Sequence, residues 1–228
     1  MPPRYKWIFL DADNTLFDYD CAEATALEQA FRHFGFAYGE DVRQIYREIN
    51  RKVWEDFENG KLDKATLQTT RFEQLLAARR NDADASAFNA YYLGVFAESG
   101  CLIDGALEVC AELSRHASLV LATNGISRVQ HRRLENSGLS PYISRVVVSE
   151  DAGFQKPHTG FFEYAFCQCG ITDKTSVLMV GDSLTSDIKG GVDFELDTCW
   201  YNPNRLEQSE LKIDYEIRQL DELYRIVL

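Results

Sequence analysis

Two aspartates, Asp11 and Asp13, stand one residue apart directly after the apolar run Trp7 to Leu10. Around a tight turn, both carboxylates can face one small site, where one attacks an electrophile while the other carries a proton. Because a buried charge needs a partner, the pair also indicates a divalent cation. Taken alone, the same spacing fits a turn in which Asp13 or Asn14 caps the local backbone.

Three later segments carry polar groups suited to phosphate or metal. Thr123-Asn124-Gly125 offers a hydroxyl, an amide and an accessible backbone N–H to phosphate oxygens, although a helix N-cap has the same composition. Lys156 is a cation whose backbone is restricted by the proline after it. Asp182 follows an apolar run, and Asp187 lies about one helical turn further on, a spacing that suits a hard cation with waters in its shell.

Apolar runs precede three of these polar groups and predict buried strands. They lie within the stretches Trp7 to Leu10, Ser118 to Gly125 and Ser176 to Asp182, and patterns with helical period separate them. Alternating strands and helices predict an α/β fold with a parallel sheet covered on both faces. Ligands of such sheets bind at the carboxyl ends of the strands, where all these polar groups are expected.

The stretch from Asp20 to about Phe96 is helical in pattern throughout, with four apolar helical regions and no strand. It interrupts the α/β alternation after the first strand. We therefore expect an all-helical insertion that lies over the carboxyl end of that strand as a lid.

The composition and charge of the chain exclude some classes of protein. The chain has 228 residues, 45% of them apolar and 26% charged, as is ordinary for a globular protein. Its net charge of −12 argues against binding a nucleic-acid polymer. It contains no apolar run of transmembrane length, and its first residues lack a signal-peptide apolar region. We therefore expect a cytoplasmic protein with no membrane partner.

Taken together and in order, the polar groups resemble the four motifs of the haloacid dehalogenase (HAD) superfamily of phosphohydrolases. The matches are Asp11-Ala12-Asp13-Asn14-Thr15, Thr123, Lys156, and Gly181-Asp182 with Asp187. The resemblance implies a doubly wound, Rossmann-like core of residues 1–16 and 98–228. It also implies an inserted helical cap of the first (C1) type over residues 17–97.

The resemblance assigns chemistry to these positions. Asp11 would attack phosphorus and form an aspartyl-phosphate, and Asp13 would protonate the leaving alkoxide and then deprotonate the hydrolytic water. Thr123, helped by Asn124 and Lys156, would hold the phosphoryl oxygens. An anionic nucleophile approaches an anionic phosphate only where cations offset the charge, which agrees with these assignments.

The same resemblance implies Mg2+, with Mn2+ as the alternative. Its ligands would be Asp11, the backbone carbonyl of Asp13, and Asp182, with Asp187 nearby or bound through water. True dehalogenases of this superfamily lack the second aspartate of the first motif. Asp13 therefore favours phosphoryl transfer over dehalogenation.

A closer resemblance is to the bacterial pyrimidine 5′-nucleotidase subfamily often called YjjG. It rests on the first motif and on stretches that include Trp54-Glu55-Asp56-Phe57-Glu58-Asn59-Gly60, Arg71-Phe72-Glu73, Ala122-Thr123-Asn124-Gly125, Val177-Leu178-Met179-Val180-Gly181-Asp182 and Thr198-Cys199-Trp200-Tyr201-Asn202. It implies hydrolysis of nucleotides such as UMP, dUMP and dTMP, so the expected partner is a small phosphate monoester.

Substrate choice is expected to come from the cap, where Phe17, Trp54 and Arg71 could stack on a base or read its edge. Aromatic residues at helical spacing also fit a cap core, and Arg71 could instead pair with Glu55 or Glu58. Two other functions stay open: a sugar-phosphate phosphatase or phosphomutase on the same scaffold, and a non-catalytic binding or regulatory protein. The complete set of catalytic acids disfavours the second. The sequence leaves both a monomer and a homodimer possible.

Overall fold

A computed structural model of the protein describes residues 4–58, 60–207 and 210–228, apart from the side chain of Glu58. The chain divides into two compact units, Met1–Tyr19 with Gly100–Leu228, and Asp20–Ser99. The family resemblance implied a cap over residues 17–97. Across the described residues, no helix combines the length and apolar character needed to cross a membrane.

The first unit contains a sheet that, within the described residues, has six parallel strands in the order β3-β2-β1-β4-β5-β6. The strands are β1 (Trp7–Leu10), β2 (Ser118–Thr123), β3 (Ile143–Val148), β4 (Val177–Gly181), β5 (Asp197–Tyr201) and β6 (Tyr215–Ile217). The predicted parallel α/β fold is confirmed.

The central strand β1 is buried on both faces because helices cover the sheet on each side. Ile8 and Leu10 belong to one apolar cluster, whereas Phe9 between them belongs to the opposite cluster. Successive strand residues point to opposite faces, so an unbroken apolar run is required where both faces are covered. This explains why β1, β2 and β4 could be recognised as short apolar runs.

Helices of the first unit lie mainly in the connections between strands. They are α5 (Ala106–Leu113), α6 (Ser127–Asn136), α7 (Ser149–Ala152), α8 (Thr159–Cys169), α9 (Lys189–Asp193) and α10 (Tyr224–Val227). The first apolar cluster joins the sheet to α5 and α10, and the second joins it to α8. A π-helical segment, Leu184–Ile188, precedes α9.

The second unit consists of helices, as the sequence pattern predicted: α1, which begins one residue before the unit (Tyr19–His33), α2 (Glu40–Glu58), α3 (Lys64–Ala78) and α4 (Ala85–Ala97). Its interior is aromatic. The ring of Phe72 lies 5.5 Å from Tyr46, 5.1 Å from Phe88 and 5.0 Å from Tyr92. Contacts of this kind add roughly 0.5–1.5 kcal/mol each beyond the apolar area they bury, so helices α2, α3 and α4 are held by one aromatic core.

Candidate active site

Three carboxylates meet at the carboxyl edge of the sheet. Asp11 follows β1 and Asp182 follows β4, and these adjacent strands pair in register, with Leu10 opposite Val180. Asp187 follows five residues after Asp182 in the π-helical segment. Each of the three offers an oxygen within 4.8 Å of the others. The order of the strands therefore gathers acids that are 171 residues apart in the sequence (182 − 11).

Lys156 is the cation of this cluster. Its Nζ donates to Asp11 Oδ1 at 2.7 Å, to Asp187 Oδ1 at 2.6 Å and to the Ala122 carbonyl at 2.6 Å. Its side chain is only 1% exposed. The three donor hydrogens of an ammonium group match these three acceptors, and the geometry holds the lysine between the nucleophile candidate and an acid of the segment that follows β4.

Burial and the repulsion of neighbouring acids raise the pKa values of Asp11 and Asp182. Desolvation raises the pKa of Asp182 to about 7, with the charge of Asp187 as the next cause. Desolvation, followed by the charge of Asp187, raises the pKa of Asp11 well above its usual range, against the lowering effect of Lys156. One ammonium group therefore does not fully offset three acids, and further positive charge would stabilise their ionised form.

The donor set fits a hard divalent cation, which prefers carboxylate and carbonyl oxygens. The site is also built tightly around Asp187. A Cβ on Gly181 would lie 2.2 Å from Asp187 Oδ2, so only glycine lets this carboxylate approach. The backbone N–H of Ser183 donates to the same oxygen at 3.1 Å. Asp182 is oriented separately, since Thr15 Oγ1 donates to its Oδ1 at 3.3 Å.

Thr123 is the last residue of β2, beside β1, Asn124 follows it, and the two side chains contact different partners. The Thr123 hydroxyl oxygen accepts from the backbone N–H of Gly125 at 2.9 Å. Asn124 instead makes two hydrogen bonds to the backbone of Lys156. Its Nδ2 donates to the Lys156 carbonyl at 2.9 Å, and its Oδ1 accepts from the Lys156 N–H at 2.8 Å. The side chain of Asn124 is thus engaged in placing Lys156.

Asp13 is held by helix α6 rather than by the acid cluster. Gln130 Nε2 donates to Asp13 Oδ2 at 2.7 Å, and Arg133 Nη1 donates to Asp13 Oδ1. The tight turn that presents Asp13 is closed by the N–H of Phe17 on the Ala12 carbonyl at 2.8 Å. Asn14 occupies the left-handed region at φ 62°, which asparagine tolerates better than most residues.

The residues proposed to choose the substrate lie in three different settings. Phe17 is fully buried in the first unit, with the Arg133 guanidinium carbon 4.4 Å from the centre of its ring. Trp54 is half-buried in the second unit, and its ring meets Phe57 edge-on at 5.6 Å. Both rings therefore have packing roles, which leaves their contribution to substrate choice a prediction.

Arg71 is buried in the second unit. It donates to Tyr46 Oη at 3.1 Å, Asn50 Oδ1 at 3.3 Å and Asn89 Oδ1 at 3.2 Å. Of the two acids weighed as its partners, Glu55 pairs with Arg51 at 2.5 Å, and the side chain of Glu58 lies outside the described residues. Arg71 joins α2, α3 and α4 through hydrogen bonds.

The two side chains that hold Asp13 were not among the predicted site residues. Arg133 is fully buried and Gln130 is 1% exposed, although both residue types are usually found on surfaces. Their three-residue spacing places them on one face of α6, together with the buried Val129 and Leu134. This shared face was the available signal, because polar residues among the apolar positions of a helix need polar partners in the interior.

Comparison with known proteins agrees with this geometry. Residues 5–194 match the family model described as haloacid dehalogenase-like hydrolase. The chain is 35% identical to the pyrimidine 5′-nucleotidase YjjG of Escherichia coli (strain K12), covering 98% of both chains. It is 37% identical to the pyrimidine 5′-nucleotidase PynA of Streptococcus pneumoniae (strain ATCC BAA-255 / R6), covering 96% of this chain and 93% of PynA.

A solved structure shows the same architecture over the full length. The HAD-hydrolase YfnB of Bacillus subtilis, in a crystal form bound to magnesium, is 39% identical to this chain. The two structures superpose with a TM-score of 0.93 over 98% of each chain. With the ordered motifs at the strand ends and the matching family model, the chain is a hydrolase that belongs to the haloacid dehalogenase-like family.

Proposed function

We propose that the protein is a Mg2+-dependent phosphomonoesterase that hydrolyses pyrimidine nucleoside 5′-monophosphates through an aspartyl-phosphate on Asp11. One observation carries the proposal. Two aspartates of a single turn have separate environments, Asp11 with Lys156 in the acid cluster and Asp13 with Gln130 and Arg133. Separate environments suit separate roles, one as nucleophile and the other as proton carrier.

In the first step, an Asp11 oxygen attacks phosphorus and the ester P–O bond breaks. Asp13 gives a proton to the departing nucleoside oxygen, because an alkoxide is a poor leaving group. In the second step, Asp13 takes a proton from water, the water oxygen attacks phosphorus, and the Asp11–phosphorus bond breaks to release inorganic phosphate. Both aspartates return to their starting forms.

The neighbouring groups bind and orient the phosphate. The Thr123 hydroxyl and the Lys156 ammonium would hold phosphoryl oxygens, while Asn124 keeps the Lys156 backbone in place. Asp11 and Asp182, with the Asp13 carbonyl and with Asp187 directly or through water, would hold Mg2+, which when bound offsets negative charge on the phosphate and the acids. Mn2+ has the same ligand preference and is the alternative ion.

The pyrimidine nucleotide is proposed from the relatives YjjG and PynA, whose names state that activity. Their similarity extends over nearly the whole chain, including the helical unit that contains Trp54 and Arg71. The small phosphate ester also agrees with a chain of net charge −12, since a monophosphate needs only a local site of positive charge and donors.

A phosphate-release panel tests the proposal. Purified protein is assayed with UMP, dUMP, dTMP, AMP, GMP and glucose 6-phosphate, each with Mg2+ and with EDTA. We expect metal-dependent release that is highest on the pyrimidine nucleotides. If release were highest from glucose 6-phosphate, the substrate class would be sugar phosphates and not pyrimidine nucleotides. If no substrate released phosphate, the proposed activity would be contradicted.

Two variants accompany the panel. Asp11→Asn removes the nucleophile and is expected to abolish release. Asp151→Asn is the matched control, because Asp151 is an acid of α7 in the same unit, outside the acid cluster. Its activity is expected to equal that of the wild type, and equal activity in Asp11→Asn would contradict the mechanism whatever the substrate.

A further inference from the structure

We propose that Gln130 and Arg133 are positioning residues for the proton transfers of Asp13, and that the proton passes through Oδ2 of that carboxylate. The inference rests on the proposed function, in which Asp13 serves as acid and then base. It concerns residues of α6, outside the four motifs that carry the family resemblance.

The contacts fix both ends of the carboxylate. Arg133 Nη1 donates to Oδ1, and Gln130 Nε2 donates to Oδ2 at 2.7 Å. Arg133 is itself held in place, because its side chain is fully buried and its guanidinium lies over the Phe17 ring. A carboxylate bonded at both oxygens cannot rotate freely about its terminal torsion, so Asp13 is presented in one orientation.

The two oxygens differ in what surrounds them. Oδ1 faces a guanidinium, which stays protonated in proteins and has no acceptor for a proton. Oδ2 faces the neutral amide of Gln130, and the same amide nitrogen lies 3.5 Å from Thr123 Oγ1. Oδ2 is therefore the oxygen on the side of the phosphate-binding hydroxyl, and its second lone pair can hold the proton while Gln130 and Arg133 keep their bonds to the carboxylate.

The absence of a side chain at Gly125 leaves the space that Gln130 occupies. A Cβ on Gly125 would lie 2.3 Å from Gln130 Nε2 and 2.8 Å from its Cγ, so the glutamine side chain fills the space that any other residue would need. Arg133 Nη1 also lies 3.4 Å from Gln130 Oε1. The amide is thus confined between Gly125, Thr123, Arg133 and Asp13.

A comparison of leaving groups tests this role. A nucleoside leaves as an alkoxide that needs a proton, whereas nitrophenolate leaves without one. Single-turnover release of the alcohol is measured for UMP, or for whichever alkyl phosphate of the panel turns over fastest, and for p-nitrophenyl phosphate. The variants are Arg133→Met and Gln130→Leu, with Arg132→Met as the matched control on the exposed face of α6.

We expect Arg133→Met and Gln130→Leu to slow alcohol release from the alkyl ester by about tenfold or more, given the 10²–10⁴-fold worth of general acid catalysis. Release of nitrophenolate should fall by less than about threefold, with KM for the alkyl ester within about threefold of wild type. Arg132→Met should leave both rates unchanged.

An equal loss on both substrates, or no loss on either, would overturn the inference while the proposed function stands. A wild-type enzyme that releases alcohol from neither substrate would overturn the proposed function and the inference with it. Thermal unfolding of each variant is measured first. If Arg133→Met does not fold, Gln130→Leu decides the outcome, because it removes a neutral amide and leaves the bond between Arg133 and Asp13 in place.

Discussion

Lys156 Nζ lies 2.7 Å from Asp11 Oδ1, and both side chains are buried. The lysine donates at the same time to Asp187, so one ammonium group connects the acid that follows β1 with an acid of the π-helical segment. A buried ion pair contributes little net stability as a unit, but removal of one partner leaves the other charge uncompensated. The site is therefore sensitive to loss of Lys156.

Lys156→Met should lower the free energy of unfolding by about 3–5 kcal/mol, because it leaves two buried carboxylates without their cation. Urea unfolding at neutral pH without added metal measures the change. Lys189→Met is the control, since Lys189 makes an exposed pair with Asp193 in α9, and such pairs are worth about 0.3–0.5 kcal/mol. Equal effects of the two variants would contradict the structural role of Lys156.

Mg2+ should raise the melting temperature of the wild type, because the ion offsets repulsion among the three clustered acids. At about 100 times its dissociation constant, the ion stabilises the folded state by about 2.7 kcal/mol. Asp182→Asn should melt at or above the wild-type temperature without metal and lose most of the Mg2+ response. Asp151→Asn should keep that response. An undiminished response in Asp182→Asn would remove Asp182 from the proposed metal ligands.

How much of this site could be foreseen depends on where each residue lies. Asp11 and Asp182 follow buried strands, and Thr123 ends one, and the burial of these strands leaves a plain apolar run in the sequence. Strand order then brings them together, since parallel strands present their carboxyl ends at one edge. Asn124 was also predicted as a site residue because it comes directly after a strand. Its hydrogen bonds, however, go to the backbone of Lys156, a long-range contact that no local pattern encodes.

Residues in the helices were harder to foresee. Gln130 and Arg133 lie on a short amphipathic helix where polar residues are common, so their burial depends on tertiary packing over the turn at Asp13. The π-helical segment that presents Asp187 also escaped prediction, because helical periodicity over five residues does not separate the two kinds of helix. Local patterns thus specify strand-end groups better than side chains that support them.

Arg71→Met should destabilise the helical unit by about 3 kcal/mol, since a hydrogen bond to a charged group contributes about 1.5–3 kcal/mol. The bonds lost go to Tyr46 Oη, Asn50 Oδ1 and Asn89 Oδ1. Hydrogen exchange of the backbone amides in α3 and α4 should become faster. Arg51→Met, which removes an exposed pair with Glu55, is the control and should leave exchange there unchanged.

Glu222 caps the 3-10 turn Leu220–Leu223, and its Oε1 accepts from the N–H groups of Arg218 and Gln219 at 2.8 and 3.0 Å. These two bonds lower the pKa of Glu222 below its usual value. A carboxyl whose pKa is lower in the folded state stabilises the protein above its unfolded pKa, and that stability is lost as pH falls through the folded value.

Glu222→Gln keeps an acceptor oxygen but removes the charge, and should therefore lower the free energy of unfolding at pH 7 by about 0.3–1 kcal/mol, the usual worth of a negative charge at the start of a helix. The difference from wild type should shrink as pH falls below about 4.3, the ordinary pKa of glutamate. Urea unfolding across this range measures it, with the exposed Glu163→Gln as control. A difference that grew on acidification would contradict a lowered pKa of Glu222 in the folded state.

In the proposed mechanism, phosphate is transferred to Asp11. Enzyme mixed with 32P-labelled UMP and Mg2+ is quenched in acid within one turnover, digested, and the labelled peptide is identified by mass spectrometry. We predict label on the peptide that contains Asp11, and its absence from Asp11→Asn and from samples with EDTA. Turnover without label on Asp11, or label on another residue, would contradict the account.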